Sequence, residues 1–248
     1  MTTWLHNFKC LAKRELYSYF CSPIAYIFLV MFLIIIGIFT FGDSLGNFYK
    51  LGYADLELPF FTWHPWLFMI FVPAIGMRLW SEELSKGTLE LLLTMPINIK
   101  QAVLAKYFAG AFMLFLVLFF TTPLIWTVNF LGEPDNGKIL SAYLGSFLMA
   151  AAFLSISSVC SALTENQVSS FILTLVICLL MILSGFPPIL HILREYVPIQ
   201  LLNLIEQVSI YPHYANFQKG IVSLYDCFYF LAVIIWGLLT TQHILRKK

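Results

Sequence analysis

The sequence predicts an all-α integral membrane protein with six transmembrane helices, an N-terminal amphipathic helix in the membrane interface, and a re-entrant helical pair between spans five and six. Hydrophobic residues make up 60% of the 248 residues and charged residues only 11%, against about 25% charged in a typical soluble domain. Six apolar runs approach the roughly 20 residues that cross a bilayer. Because short loops use up the rest, we expect a single transmembrane domain, 1–248.

The first segment, 4–20, has the pattern of an amphipathic helix. Trp4, Phe8 and Leu11 fall on its apolar half, whereas Arg14 falls on its polar half. A basic helix of this kind lies in the membrane interface. It acts either as a simple topology anchor or as a contact for a partner. Ser22 and Pro23 then match the N-cap and first-turn proline of the first span.

The apolar runs carry charges only near their ends, at Arg78, Lys106 and Asp226. With a cytoplasmic N-terminus, ten Lys and Arg residues face inward and four face outward, so the positive-inside rule places both termini in the cytoplasm. The predicted transmembrane helices are 24–41, 60–80, 103–131, 139–163, 168–190 and 224–245. His64, beside two tryptophans in the second run, is expected in the interfacial aromatic belt.

The external segment 186–222 is apolar but interrupted by prolines and glycines. No piece between two breaks is long enough to cross the membrane. Short helices that dip into the outer leaflet and return are expected at 188–197 and 199–209, provided that protein covers the broken backbone. The alternative is an ordinary external loop with one amphipathic helix.

The cytoplasmic loop 81–98 has clear helix-boundary residues. Gly87 ends one helix in a conformation with positive φ, and Thr88 caps the next. Glu90 stands in the first turn, where the helix dipole favours a negative charge, and Pro96 ends the helix. Leucines fill this helix, so it must bury itself against its own bundle or against a partner. Asn98 and Gln101 form a capping-box pattern that opens span three.

Within this loop and span three the sequence resembles the ABC-2-type permeases, the membrane subunits of ATP-driven exporters. The residues that carry the resemblance are Arg78, Glu82, Glu83, Gly87, Thr88, Leu89, Glu90, Leu91, Leu92, Pro96 and Lys106. Ala105 and Leu84 depart from the family pattern without touching its G-T-L-E core. The stretches 13–26 and 213–220 are similar to the gliding-motility-type branch of the family.

The resemblance implies a non-catalytic subunit that forms half of a translocation pathway. Its partners would be two copies of an ABC ATPase subunit, which holds ATP and Mg, a second permease chain, identical or related, and membrane lipid, with no nucleic acid. Its location would be the bacterial cytoplasmic (inner) membrane. The ATPase-coupling residues would be Glu82, Glu83, Gly87, Thr88, Leu89, Glu90, Leu91, Leu92 and Pro96. The connecting helix would use Trp4, Phe8, Leu11, Arg14 and Glu15, and the external gate Pro188, Pro198, His213 and Gly220.

Several alternatives stay open on the sequence. Glu82 and Glu83 pair either with the ATPase or with Lys86 on their own helix. The serines of span four either line a pathway or pack against neighbouring helices. A scaffold that moves nothing and an ion-driven secondary transporter are the rival functions. An intramembrane protease is disfavoured because three of the five histidines fall on the side of the membrane opposite Glu82. The sequence has no phosphate-binding loop motif, and its five scattered cysteines indicate neither disulfides nor a metal site.

Overall fold

The computed structural model describes residues 2–42, 48, 55–89 and 98–247. Over these residues the secondary structure is helical, with no strand. The α-helices are α1 (Thr2–Cys21), α2 (Pro23–Phe41), α3 (His64–Gly76), α4 (Ser81–Ser85), α5 (Ile99–Phe119), α6 (Pro123–Leu131), α7 (Asn136–Leu163), α8 (Gln167–Leu183), α9 (Pro187–Leu193), α10 (Ile199–Val208), α11 (Ile210–Gln218) and α12 (Leu224–Lys247). A 3-10 helix, Phe61–Trp63, precedes α3.

Helix α7 is the centre of the bundle and packs against α3, α5, α8, α11 and α12. Every residue from 149 to 162 is buried. Small side chains let the neighbouring helices approach closely: a Cβ added at Gly237 of α12 would lie 2.7 Å from the Ser155 hydroxyl. Ser155 also contacts the Val233 carbonyl at 3.3 Å. Ser155 therefore joins α7 to α12.

The lengths and composition of the helices are those of a multi-pass membrane protein. Three helical stretches are long and apolar enough to cross a bilayer, and two bent helix pairs raise the number of candidate spans to five within the described residues. The three stretches are Ile99–Leu131, Asn136–Leu163 and Leu224–Lys247. The bent pairs are Phe8–Cys21 with Ala25–Phe41, at 67°, and Gln167–Leu183 with Pro187–Leu193, at 70°. The count of six spans stays a prediction.

The predicted second span, 60–80, contains only a short α-helix. Helix α3 has 13 residues, which is about 20 Å of helix against a hydrocarbon core of about 30 Å. Turns occupy 57–60 and 77–80. Pro73 lies inside α3 and the helix ends three residues later, at Gly76. The apolar composition of this run was visible in the sequence, but the break in its backbone was not.

Predicted span five, 168–190, also ends early. Helix α8 stops at Leu183 and the chain turns by 70° into α9. Gly185 makes the turn possible, because a Cβ there would lie 2.6 Å from Pro212 Cδ and from Ser209 Cβ. The close approach of α11 to this glycine fixes the end of the helix.

The external segment forms three helices where two were predicted. Side chains of α9 and α10 are mostly exposed, and among the described residues of these two helices only Leu202 is buried. Helix α11 was not predicted, and it is the one that enters the bundle, with Ile210, His213, Tyr214 and Phe217 buried. The re-entry of α9 and α10 into the membrane stays a prediction.

Candidate functional site

A cluster of charged side chains lies where α1, α4 and α5 meet. At its centre, the Lys106 ammonium lies 2.9 Å from Glu83 Oε1 and 3.3 Å from Glu15 Oε2. Only 7% of the Lys106 side chain is exposed. A buried cation of this kind requires paired carboxylates. We call Glu15, Glu83 and Lys106 the ionic junction.

Local sequence determines where α5 begins and therefore where Lys106 lies. The Asn98 and Gln101 side chains form the predicted capping box, which starts α5 one turn before Ala102. Lys106 is therefore placed on the second turn of α5, where its ammonium lies 5.2 Å from the centre of the Trp80 ring. A cation over an indole face is favourable, and more so out of water. Lys106 is thus held by two carboxylates and one aromatic ring.

Glu82 takes part in a second, more exposed set of ion pairs. Its carboxylate lies 2.7 Å from Lys86 Nζ and 3.1 Å from Arg78 Nε. These hydrogen bonds, that of Lys86 first, lower the pKa of Glu82 below its usual value. Arg78 also reaches the Ser22 hydroxyl, at 3.4 Å, at the start of α2. Lys86 thus pairs with Glu82 on its own helix, whereas Glu83 pairs with Lys106 instead of Lys86.

The ionic junction borders an open cavity of about 490 Å³. Its walls carry both signs of charge together with hydroxyl groups. The lining residues are Arg14, Glu15, Ser18, Tyr19, Ser22, Arg78, Leu79, Glu82, Glu83, Lys86, Thr88 and Lys106. Among the described residues, no group of three or more His, Cys, Asp or Glu side chains is arranged to hold a metal ion.

The predicted coupling segment is described only at its start. Gly87 has φ of 65°, the positive value expected from the sequence, and ends the helix that contains Glu82 and Glu83. Thr88 is exposed, and Leu89 is buried against the core. The other predicted coupling residues, Glu90, Leu91, Leu92 and Pro96, lie outside the described residues.

Helix α1 packs along α5 with the face that the sequence predicted to be apolar. Leu11 is buried, and the Phe8 ring meets Phe108 edge-on at 5.9 Å. Arg14 and Glu15 pair with each other at 2.7 Å. Glu15, a charged residue on the mostly apolar half of this helix, also reaches Lys106. The Trp4 side chain lies outside the described residues.

The break after α3 is held by one serine of α7. Ser161 Oγ accepts hydrogen bonds from the backbone N–H of Trp80 at 2.9 Å and of Ser81 at 3.0 Å. The same hydroxyl donates to the Met77 carbonyl at 2.9 Å. These bonds pair backbone groups that the end of α3 leaves without helical partners. They also fix α4, and with it Glu83, relative to α7.

The residues predicted as an external gate lie away from the ionic junction. They also differ from one another in burial. His213 is buried on α11, and its Nδ1 lies 2.6 Å from Asp226 Oδ1 at the start of α12. Gly220 has φ of 84° just after α11. Pro188 and Pro198 are exposed, in the first turn of α9 and at the N-cap of α10.

His64 is not in the aromatic belt predicted for it. It is fully buried, with Nδ1 2.7 Å from the Ser146 hydroxyl and its ring 4.6 Å from that of Phe60. Apolar residues on both sides of it in the sequence, Phe61 and Phe68, belong to the core as well, so His64 packs inside the bundle and not at its lipid-facing surface.

Lys106 belongs to the family motif, but no role was predicted for it from the sequence. The available signal was that Lys106 is the single charge in its apolar run. Its partner Glu15 breaks the amphipathic pattern of the first helix. Two charges that each violate their own pattern are candidates for pairing with each other, and the structure joins them.

The comparisons with known proteins agree with this architecture. The family model described as ABC-2 family transporter protein matches residues 20–185, two thirds of the chain. This range includes α2 to α8 and all of the junction except Glu15. No curated protein matches the chain. The chain is therefore a member of the ABC-2 family of transporter membrane proteins, a multi-pass transmembrane permease.

Proposed function

We propose that the chain is the membrane-spanning permease subunit of an ATP-driven ABC exporter and that it forms half of the translocation pathway. In this proposal two copies of a separate ATPase subunit bind ATP and Mg, and a second permease chain completes the pathway. The 81–98 segment is the coupling element. The observation that carries the proposal is the ionic junction, which ties the start of this segment to α1 and α5.

The proposed coupling works through rigid contacts. Closure of the ATPase subunits on ATP pushes the coupling segment that follows Gly87. Because Glu83 lies four residues before Gly87 and pairs with Lys106, displacement of the segment acts on α5. Glu15 shares the same ammonium, so α1 moves with α5. Glu90 and the leucines around it would provide the contact with the ATPase.

We propose six spans with both termini in the cytoplasm of a bacterium and the chain in its inner membrane. The Lys and Arg distribution supports this orientation. The short α3 then belongs to a composite second span, 60–80. Non-helical backbone at membrane depth is tolerated where protein satisfies its polar groups, and the Ser161 bonds to Met77, Trp80 and Ser81 support such a span.

At the opposite end, we propose the 186–222 segment as the external gate, in a permease of the gliding-motility-type branch. The contact between His213 and Asp226 supports this assignment because it ties α11 to α12. Asn216 Nδ2 donates to the second Asp226 oxygen at 3.0 Å. Movement of α12 is thereby linked to the segment that covers the outer end of the bundle.

Co-purification tests the proposal. The chain carries a C-terminal affinity tag, is extracted in mild detergent, and is assayed for bound proteins by mass spectrometry and for ATP hydrolysis. We expect a stoichiometric subunit with a phosphate-binding loop, and we expect Glu90→Lys to lose that subunit or to uncouple transport without affecting membrane insertion. A chain that purifies alone and without hydrolysis under several mild extractions contradicts the proposal and favours a scaffold or a secondary transporter.

A further inference from the structure

Two apolar grooves beside α5, on the surface of the helical bundle, join into one trough. The first, about 650 Å³, lies between α1, α5, α7 and α12. The second, about 590 Å³, lies between α5, α6 and α7. They are continuous, because Phe115 and Phe147 line both. The trough therefore follows the membrane-spanning part of α5 from α1 to the far end of the helix.

Phenylalanines of α5 form one wall of the trough. Phe108, Phe112, Phe115 and Phe119 recur at helical spacing, and each is between 42% and 54% exposed. From first to last they cover about 17 Å of helix. Ala111 and Ala151 line the trough between the larger side chains. A long, narrow surface that is almost entirely apolar suits a single hydrocarbon chain.

The α1 end of the trough carries positive charge. Phe8, Ala12 and Leu16 close this end of the trough, and the next residues along α1, Lys9 and Lys13, are exposed. Neither ammonium has an ion-pair partner among the described residues, in contrast to Arg14 and Glu15 on the same helix. An apolar trough that ends at two unpaired lysines in an interfacial helix has the chemistry of an anionic lipid site.

We propose that the trough binds one anionic phospholipid, with an acyl chain against the α5 phenylalanines and its phosphate at Lys9 and Lys13. The lipid holds α1 against α5 beside the ionic junction. Charge favours this occupant over a second copy of the chain, because a two-fold contact through this face would bring two Lys9 and Lys13 pairs together. The proposal does not depend on coupling to an ATPase.

Native mass spectrometry of the delipidated, purified chain tests the site. Phosphatidylglycerol and phosphatidylcholine with matched acyl chains are titrated separately. Two lysines at a membrane surface predict a preference for phosphatidylglycerol of roughly 10–30-fold. The double change Lys9→Gln with Lys13→Gln removes the preference, and Ala12→Trp, which fills the α1 end of the trough, weakens binding of both lipids.

Two control variants separate this site from general lipid coating. Lys100→Gln removes an exposed lysine at the start of α5, and Ala232→Trp fills a different apolar groove, of about 490 Å³. Both should keep the preference. The proposal is overturned if the Lys9 and Lys13 variant retains it, if the controls lose it equally, or if free glycerol 3-phosphate displaces the lipid. Crosslinking of Phe115→Cys to a second copy of the chain also overturns it.

Discussion

The Lys106 ammonium and the Glu83 carboxylate form a 2.9 Å ion pair between α5 and α4, the helix that precedes Gly87. Both side chains are largely withdrawn from water, at 7% and 18% exposure. Ion pairs of this kind are costly to break, since either partner alone is a buried charge. This pair therefore joins α4, the helix before Gly87, to α5.

Lys106→Met should destabilise the protein strongly. Removing the ammonium leaves Glu15 and Glu83 without their shared cation, at a cost of about 3 kcal/mol, the low end for a buried pair because the two side chains are 14% and 18% exposed. Thermal unfolding in detergent measures the loss. Lys100→Met, on the exposed first turn of the same helix, is the control and should be nearly neutral. Equal effects of the two variants would contradict a central role for Lys106.

Glu82 should stabilise the fold in a pH-dependent way. Its pKa is lower in the folded protein than the ordinary value of 4.5, so its contribution is complete above about pH 4.5 and is lost as the pH falls through the folded pKa. Compared with Glu82→Gln, the wild-type protein should be more stable at pH 7 by no more than about 1 kcal/mol, because the pair is partly solvated. Melting curves from pH 7 to pH 3.5 measure this difference. A difference that grows toward low pH would contradict the assignment.

Ser161→Ala should cost about 2–6 kcal/mol. The change removes the acceptor of two backbone N–H groups, of Trp80 and Ser81, and each buried donor left unpaired costs about 1–3 kcal/mol. Ser170→Ala is a matched control, because that buried hydroxyl on α8 has no hydrogen-bond partner among the described residues. Chemical denaturation should separate the two variants clearly. If both changes are neutral, Ser161 does not hold the break after α3.

Gly87→Val should weaken coupling through backbone strain alone. Nothing lies within 4 Å of a Cβ built at Gly87 or at Gly37, but only Gly87 has a positive φ, of 65°. Left-handed backbone disfavours a β-branched residue by about 1–2 kcal/mol or more, whereas Asn tolerates it. ATPase activity of the assembled complex should fall in Gly87→Val and persist in Gly87→Asn and Gly37→Val. Comparable losses in Gly37→Val would point to packing instead of backbone conformation.

The apolar helices of a multi-pass membrane protein were predictable because a chain this poor in charge can cover apolar stretches of about 20 residues only with lipid or with its own helices. The ends of α1, α2, α7 and α12 lie within three residues of their predicted ends. Ser22 and Pro23 and the Asn98 capping box set local boundaries that sequence spacing reveals. The positive φ of Gly87 was predictable for the same reason.

Features that depend on distant partners were not predictable. The end of α8 depends on the approach of Ser209 and Pro212 to Gly185, and the break after α3 depends on Ser161, 80 residues or more along the chain. Burial of His64 and of α11 arises from packing against other helices, which composition alone does not distinguish from exposure to lipid. The pairing of Lys106 with Glu15 and Glu83 required three helices to be placed together.

Site-specific crosslinking at Thr88 tests the central claim most directly. Thr88 is exposed next to Gly87, so a photoreactive residue placed there should crosslink in cells to a protein with a phosphate-binding loop. The same residue at Val222, exposed in the external segment, should not. An ATPase adduct at Thr88 alone, lost when Glu90 is changed to Lys, is the predicted result. An ATPase adduct that forms equally at both positions, or at neither, would contradict coupling through the 81–98 segment.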